Sequence, residues 1–315
     1  MDFDDRVLRR LKLSDLRLLH AVVASGGMAK AAAHLNISQP AVSKAVSALE
    51  HTLGVKLLDR HPQGVEPTIY GKALIDGGVA IFDELRQSVG RIAHLADPDA
   101  GELRVGCTEA GAAGFVPAVI DRLSRQFPRI HFHVVTADPD TLATRELPQR
   151  TIELAIGAIP DLRGTNVQLE ILFDDRHVVM AGANNKWSRR RNIDLADLIG
   201  EPWILPPAES VQAAYIAEAF RANGLEPPQS RVASFSIPLC HHLLATGRYL
   251  TMHPIVMKQL ASHLALKTLD VRFEGIRRPI GILTLKNRTL SALAHHFIAC
   301  ARQMARPLAR TARRS

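Results

Sequence analysis

The chain has 315 residues, 47% of them apolar and 22% charged, enough core-forming material for two or three domains and too much for a disordered chain. Its formal net charge is +8, yet Arg17–Lys72 holds six Lys/Arg against three Asp/Glu, and the tail from Arg302 holds five Arg and no acid. Charge therefore supports a nucleic-acid partner without locating it.

No window approaches the roughly 20 apolar residues of a membrane span, and the N-terminus MDFDDRVLRRLKLSD has no apolar signal core. No membrane partner is expected. The three cysteines, Cys107, Cys240 and Cys300, are far apart and odd in number. That pattern fits a reducing cytoplasm better than a disulfide framework or a zinc site.

In chain order, Ser14 reads as the cap of a first helix whose apolar stripe is Leu16, Leu19, Val22 and Val23. Gly26-Gly27 stops it. An alanine-rich helix follows from Met28 to about Leu35. After the turn Asn36-Ile37, Ser38 caps a third helix with Pro40 in its first turn, where the missing N–H costs nothing. On this helix Val42, Ala45, Val46, Leu49 and Leu53 share one face. Gln39, Ser43 and Ser47 share the opposite face at i, i+4 and i+8, with Lys44 beside them. A solvated face usually carries Glu and Lys; short amides and hydroxyls suit base edges and phosphates. Helix, tight turn, helix with a polar second face is the helix-turn-helix arrangement. An ordinary surface helix of an α-bundle is the other reading.

Gly54–Arg60 leads into two short extended pieces around His61-Pro62-Gln63-Gly64. A hairpin there makes a wing, from which Arg60 and His61, like Lys30, can reach phosphates. Thr68 then caps a long helix over about 69–95. In it Ile75, Phe82 and Val89 recur every seven residues, with Gly78, Leu85 and Ile92 three residues after each, the seam of a paired helix.

The run AAAHLNISQPAVSKAVSALEHTLGVKLLDR with its Thr-led helix resembles the LysR-type transcriptional regulators. The later runs GEPWILPP, LLATGRYLT and GILTLKNRTLS resemble a branch of that family related to the galactose-binding-protein regulator. Two positions depart from the family pattern. Ala29 stands before Lys30 where a hydroxyl residue is usual, and Ser47 stands where a basic residue is common. Both imply a weaker electrostatic hold on DNA.

After a hinge-like linker, Ala96–Gly101, strands and helices alternate. Glu102–Cys107, Ile130–Thr136 and Glu153–Gly157 read as strands, with helices over Gly111–Phe127 and from Asp138 to about Gln149. That is βαβαβ and a parallel sheet. From Arg163 a second unit adds strands near Val167–Phe173, His177–Ala181 and Arg231–Phe235, and helices near Leu195–Leu198, Val211–Asn223 and Ile237–Ala245. Arg278–Lys286 returns as a strand and Ser291–Ala305 as a closing helix, and the basic tail Arg302–Ser315 reads either as a frayed end or as a functional segment.

The expected fold is thus α/β with an N-terminal winged helix-turn-helix (1–67), a linker and dimerisation helix (68–95) and an effector domain (96–315). The resemblance implies that this domain has two lobes, about 101–162 with 270–305 and about 163–269, like a periplasmic binding protein with a ligand between them. Candidate ligand residues stand at strand ends and helix starts: Thr108, Thr136, Glu209, Ser210 and Ser236. Each also reads as a plain cap or turn residue. Together they suit a sugar or a small organic acid, and Glu209 favours the neutral polyol.

The expected partners are a double-stranded DNA operator, a small-molecule effector and a second copy of the chain, as dimer or tetramer. No GxGxxG, GxSxG or HExxH is present, so neither a cofactor nor catalysis is expected. His131 and His133 share one face of a strand, while the adjacent pairs His241/His242 and His295/His296 point about 100° apart on helices and chelate poorly; no metal is expected. Cys107 reads as a structural thiol. The competing class is a solute-binding or enzymatic α/β protein whose helix-turn-helix likeness is incidental.

Overall fold

A computed structural model describes residues 5–61, 64–97, 99–257, 265–273 and 276–312. The chain divides into two compact units, residues 1–89 and 90–315. The wing tip (Pro62, Gln63), Pro98 of the linker and the last arginines (Arg313, Arg314) lie outside the described residues.

The first unit holds α1 (Asp5–Arg10), α2 (Leu13–Ala24), α3 (Met28–Leu35), α4 (Gln39–Leu53), β1 (Leu58–His61) and β2 (Gly64–Pro67). The long α5 (Ile69–Ala96) follows. The α2 start differs from expectation. Lys12, not Ser14, occupies the cap position, and the Asp15 carboxylate accepts the Lys12 N–H at 3.0 Å. An acid three residues in reaches back to the orphan donor, so no capping hydroxyl is needed. Asn36 closes α3 in the left-handed region, and Ser38 caps α4 by accepting the Ala41 N–H.

Leu19, Val22, Ala31, Val42, Val46, Leu49 and Leu57 form the core of this unit, each large side chain contributing about 1.5–3 kcal/mol. Glu50 is buried beneath the wing. It accepts the Leu57 and Leu58 N–H groups at 2.9 and 3.3 Å and the Lys56 ammonium at 3.0 Å. Burial opposes its charge, but these donors win and hold its carboxyl below the usual range. β1 and β2 pair antiparallel from Leu58↔Pro67 to His61↔Gly64. Thr68 ties the wing to α5: its hydroxyl donates to the Lys56 carbonyl and accepts the Gly71 N–H. A Cβ on Gly71 would run into the Leu57 carbonyl, so only glycine lets α5 lie this close.

The second unit begins with β3 (Ala100–Cys107), α6 (Glu109–Ala113), α7 (Phe115–Gln126), β4 (Arg129–Thr136), the one-turn α8 (Pro139–Thr141) and β5 (Leu154–Ala158). Next come β6 (Val167–Gly182), β7 (Ile193–Asp194), β8 (Trp203–Leu205), α9 (Val211–Ala222), β9 (Ser230–Ala233), α10 (Ile237–Ala245) and β10 (Leu250–Pro254). The unit closes with β11 (Leu266–Thr268), β12 (Val271–Arg272), β13 (Arg277–Leu285) and α11 (Ala292–Ala312). The strand order is β4-β3-β5-β13-β6-β10-β8-β9, with β11 also on β6 and a separate β12-β7 pair. β3 is parallel to β4 and β5, and β8 is parallel to β9 and β10. Each half of the sheet has its own cores. Phe115, Val119, Leu154, Ile156 and Phe297 fill one in the first half; Val179, Trp203, Ile216 and Phe220 fill one in the second.

Four expectations change. The strands near Val167–Phe173 and His177–Ala181 are one continuous strand. Asp174–Arg176 reads as a polar break, but these residues keep their ladder against Pro279–Arg277. The helix expected over Gly111–Phe127 starts at Glu109 and breaks at Gly114, where a Cβ would sit 2.5 Å from the Val256 carbonyl oxygen. The helix expected from Asp138 is one α-turn running into a π-turn, Leu142–Glu146. The closing helix does not end at Ala305. It continues to Ala312, so the described part of the tail is helical rather than frayed, and Arg302 grips Glu170 with two bonds of 2.6 and 2.7 Å.

Candidate nucleic-acid interface and ligand site

On α4, Val42, Val46 and Leu49 are buried, whereas Gln39, Pro40, Lys44 and Ser47 are exposed and Ser43 is half-buried. Ser38 is exposed at the cap. Lys30 on α3 and Arg60 and His61 on β1 are exposed as well. Among the described residues Lys30, Lys44 and Arg60 have no ion-pair partner, so their charge is free for an outside anion. The N-cap of α3 is Gly27, which offers no side-chain bond. Met28 and Ala29, the first two residues of α3, supply no hydroxyl either.

The seam expected on α5 is redistributed. Ile75 packs against the first unit's core, and Gly78 is buried beneath Leu16, whose Cβ would lie 3.5 Å from an added Cβ. Both face their own domain, and Phe82 is half-buried. Leu85, Val89 and Ile92 are 49%, 59% and 69% exposed, and Ile81 and Leu95 are exposed with them. The uncovered apolar stripe thus lies in the later turns of the helix.

In the second unit Thr108 caps α6 by accepting the Gly111 N–H at 3.3 Å, directly after β3. Thr136 ends β4 opposite Cys107 and is exposed. Glu209 and Ser210 follow β8, and Ser236 follows β9. Ser210 caps α9 and Ser236 caps α10, accepting N–H groups at 3.1 and 3.4 Å. α6 and α10 pack on each other, which brings the Thr108 and Ser236 helices together. Each capping hydroxyl spends one acceptor site on the helix and keeps its O–H for a ligand. Glu209 is exposed. Burial pushes the Cys107 thiol up to about 11, with the Thr136 hydroxyl partly offsetting it, so it is no thiolate at neutral pH.

A further group was not read from the sequence. At Asp174–Arg176 the strand β6 leaves β13, and from His177 it pairs with β10. Five buried atoms around this crossover have no hydrogen-bond partner among the described residues: Asp175 Oδ2, His177 Nδ1 and Arg278 Nε, and, on the face of the sheet that packs on α10, His241 Nε2 and His253 Nε2. Arg278 stands opposite Asp175 in the ladder and stacks over the Tyr215 ring. Burial pushes the Asp175 carboxyl up to about 6, although the Val256 N–H supports its charge. Burial, with the Arg278 guanidinium, holds His177 down at about 4. Burial likewise holds His253 down at about 3. The polar run Asp174-Asp175-Arg176-His177 was the available signal, because such residues inside a paired strand need a reason to be there. His131 and His133 are exposed on β4, and among the described residues no group of three potential ligands could hold a metal.

Comparison with known proteins decides the class. A profile of bacterial regulatory helix-turn-helix proteins of the lysR family matches residues 13–72, and a LysR substrate-binding-domain profile matches residues 96–306. The chain belongs to the LysR family of transcriptional regulators. It is a DNA-binding regulator with an effector domain, so the competing reading of an incidental helix-turn-helix falls away. This LysR-family chain is 32% identical to the regulator GbpR of Azospirillum brasilense over 93% of its length and 86% of that protein. It is 28% identical to the regulator YdcI of Escherichia coli K12, covering 90% and 92%. Full-length CbnR, solved with its target DNA, superposes with a TM-score of 0.65 at 21% identity, covering 93% of this chain and 99% of that one. At that identity the likeness concerns the fold. Among the described residues no helix is long and apolar enough to cross a membrane.

Proposed function

We propose that residues 1–67 read an operator, that 68–95 pair two chains and that a small effector bound between the lobes of 96–315 sets occupancy. In this reading Gln39, Pro40, Ser43, Lys44 and Ser47 enter the major groove, while Ser38, Lys30, Arg60 and His61 hold phosphates. Leu85, Val89 and Ile92, with Phe82 at the margin, join two α5 helices, and two such dimers can form a tetramer. Thr108, Thr136, Ser210 and Ser236, with Glu209 at the rim, face the effector, a sugar or small organic acid. The protein works in the cytoplasm and catalyses nothing.

The observation that carries this reading is the α4 face. It is exposed, short-chained and polar, it stands over a sealed apolar face, and its one lysine, Lys44, has no ion-pair partner among the described residues. Solved relatives of this fold include one held on DNA. A footprint of the native promoter tests it: wild type should protect two half-sites, and Gln39→Ala with Lys44→Ala should lose them. Protection unchanged in that double variant would refute the assignment of α4 to base reading.

A further inference from the structure

We propose that the β6 crossover anchors a hydroxylated carboxylate, with Arg278 taking the carboxylate and Asp175 taking a hydroxyl. The inference rests on reading the second unit as an effector domain and names the chemical class of its ligand.

The position comes first. β6 runs unbroken through both halves of the sheet, and Asp175, His177 and Arg278 stand where its partner changes from β13 to β10. A group bound here touches the one strand that both halves share.

The chemistry follows from what is unsatisfied. Arg278 and Asp175 are ladder partners, yet no ion pair joins them. The acid nearest Arg278 is Glu218, at 3.8 Å and largely exposed. That pair is long and wet, and it leaves the buried Nε without an acceptor. Buried donors are almost always met, and one that is not marks a place for water, an ion or a ligand. The Tyr215 ring fixes the plane of the guanidinium. A fixed guanidinium with a free Nε–H and only a long, exposed ion pair matches a carboxylate, which accepts along two parallel N–H directions.

The other end asks for something different. Asp175 is 1% exposed and has one free oxygen. That oxygen would repel a second anionic group and accept a hydroxyl. The imidazole of His177, which the Arg278 charge reaches, has its ordinary pKa lowered, chiefly by burial. A neutral imidazole has one donor and one acceptor nitrogen, as a hydroxyl has both functions. One cation, one acid and one amphoteric ring together describe a molecule with one carboxylate and at least one hydroxyl. A neutral sugar would leave Arg278 unmet, and a fatty acid would leave Asp175 and the His177 imidazole unmet. Glu209, the reason for favouring a neutral polyol, is an exposed residue on a separate loop and does not weigh against this.

The test is isothermal titration of the full-length protein with lactate, malate, gluconate and galactonate. Glucose and galactose serve as neutral controls, and succinate and hexanoate as hydroxyl-free acids. At least one hydroxycarboxylate should bind, roughly tenfold or more tighter than every control. Arg278→Met should remove that preference, Arg278→Lys should restore part of it, and Asp175→Asn should weaken hydroxylated acids selectively. All variants are compared at matched far-UV circular dichroism. On binding, the His177 ring should titrate at higher pH by NMR, because an anion beside it favours the imidazolium.

The proposal is overturned if no hydroxycarboxylate binds at millimolar concentration, which leaves water as the occupant. It is also overturned if a neutral sugar binds tighter, or if Arg278→Met binds as wild type does. Hydroxycarboxylate binding through Arg278 without any change in the operator footprint would uphold this site and refute the effector reading. A sugar-induced footprint change that survives Arg278→Met would do the reverse.

Discussion

Replacing Glu50 with alanine isolates the attachment of the wing. The carboxylate accepts two buried backbone N–H groups, Leu57 at 2.9 Å and Leu58 at 3.3 Å, and an alanine side chain can accept neither. An orphaned buried donor costs about 1–3 kcal/mol, and the longer bond sits at the low end. The Lys56 partner is mostly exposed and adds little. Together the loss should be about 2–4 kcal/mol, all of it in the first unit. Glu50→Gln keeps one acceptor oxygen and should lose about half as much.

The assay exploits where the tryptophans lie. Trp187 and Trp203 are both in the second unit, so tryptophan fluorescence reports that unit alone, while circular dichroism at the helix band reports both. In urea, Glu50→Ala should bring the first-unit part of the dichroism transition to lower denaturant and leave the fluorescence transition in place. The folded pKa of Glu50 is lowered, so its contribution is full above the unfolded carboxylate range, near 4.5, and is lost as pH falls through the folded value. The gap between wild type and Glu50→Gln should therefore be widest near neutrality and close in acid. A shift of equal size in both signals, or a gap that widens in acid, would refute the account of Glu50.

Gln39→Ala should cost about 1–3 kcal/mol at the operator and relax sequence preference, whereas Lys44→Ala should weaken all sequences alike and lower the salt slope by about one. Both are read by binding titrations over a range of salt. Val89→Asp places a charge in the exposed α5 stripe and should yield monomers by light scattering; an unchanged dimer would remove that stripe from the interface. Thr108→Val and Ser210→Ala should abolish the effector-induced footprint change with operator affinity kept within a few-fold, while Thr108→Ser retains the response; a normal shift in Thr108→Val means that the residue only caps α6. Truncation after Leu95 should keep some DNA binding and lose all response.

The first unit was legible because local signals there agree with the tertiary answer. Ser38 and Thr68 cap the helices their spacing announces, and the apolar face of α4 is the face that is buried. The α5 seam was read less well. A heptad cannot say which partner an apolar residue faces, and Ile75 and Gly78 turn to their own domain. In the second unit, sequence reading failed where pairing overrides composition. Asp174–Arg176 reads as a turn because isolated polar residues favour one. In the sheet these residues are held extended by β13, a strand about a hundred residues away. The strands Trp203–Leu205 and Leu250–Pro254 are too short to announce themselves by alternation. The crossover group was invisible for the same reason: Asp175 and Arg278 meet only once β6 and β13, two distant segments, are paired.

The continuity of β6 has a consequence for control. A ligand shifts a regulator only by its difference in affinity for two arrangements, and moving a balance from 1:99 to 99:1 needs about 10⁴-fold. A ligand touching one half of the sheet gains the same contacts whatever the other half does, so tight binding alone would accomplish nothing. Groups that reach the crossover escape that limit, because Asp175 belongs to the shared strand while its carboxylate accepts the Val256 N–H at 3.3 Å and the Val256 carbonyl abuts Gly114. Bending β6 at this point must change the distances among Asp175, the 255–257 turn and the α6–α7 break. A ligand that fixes Asp175 and Arg278 therefore binds one bend better than another. That difference, rather than the strength of the caps at Thr108, Ser210 and Ser236, is where the switching energy has to reside.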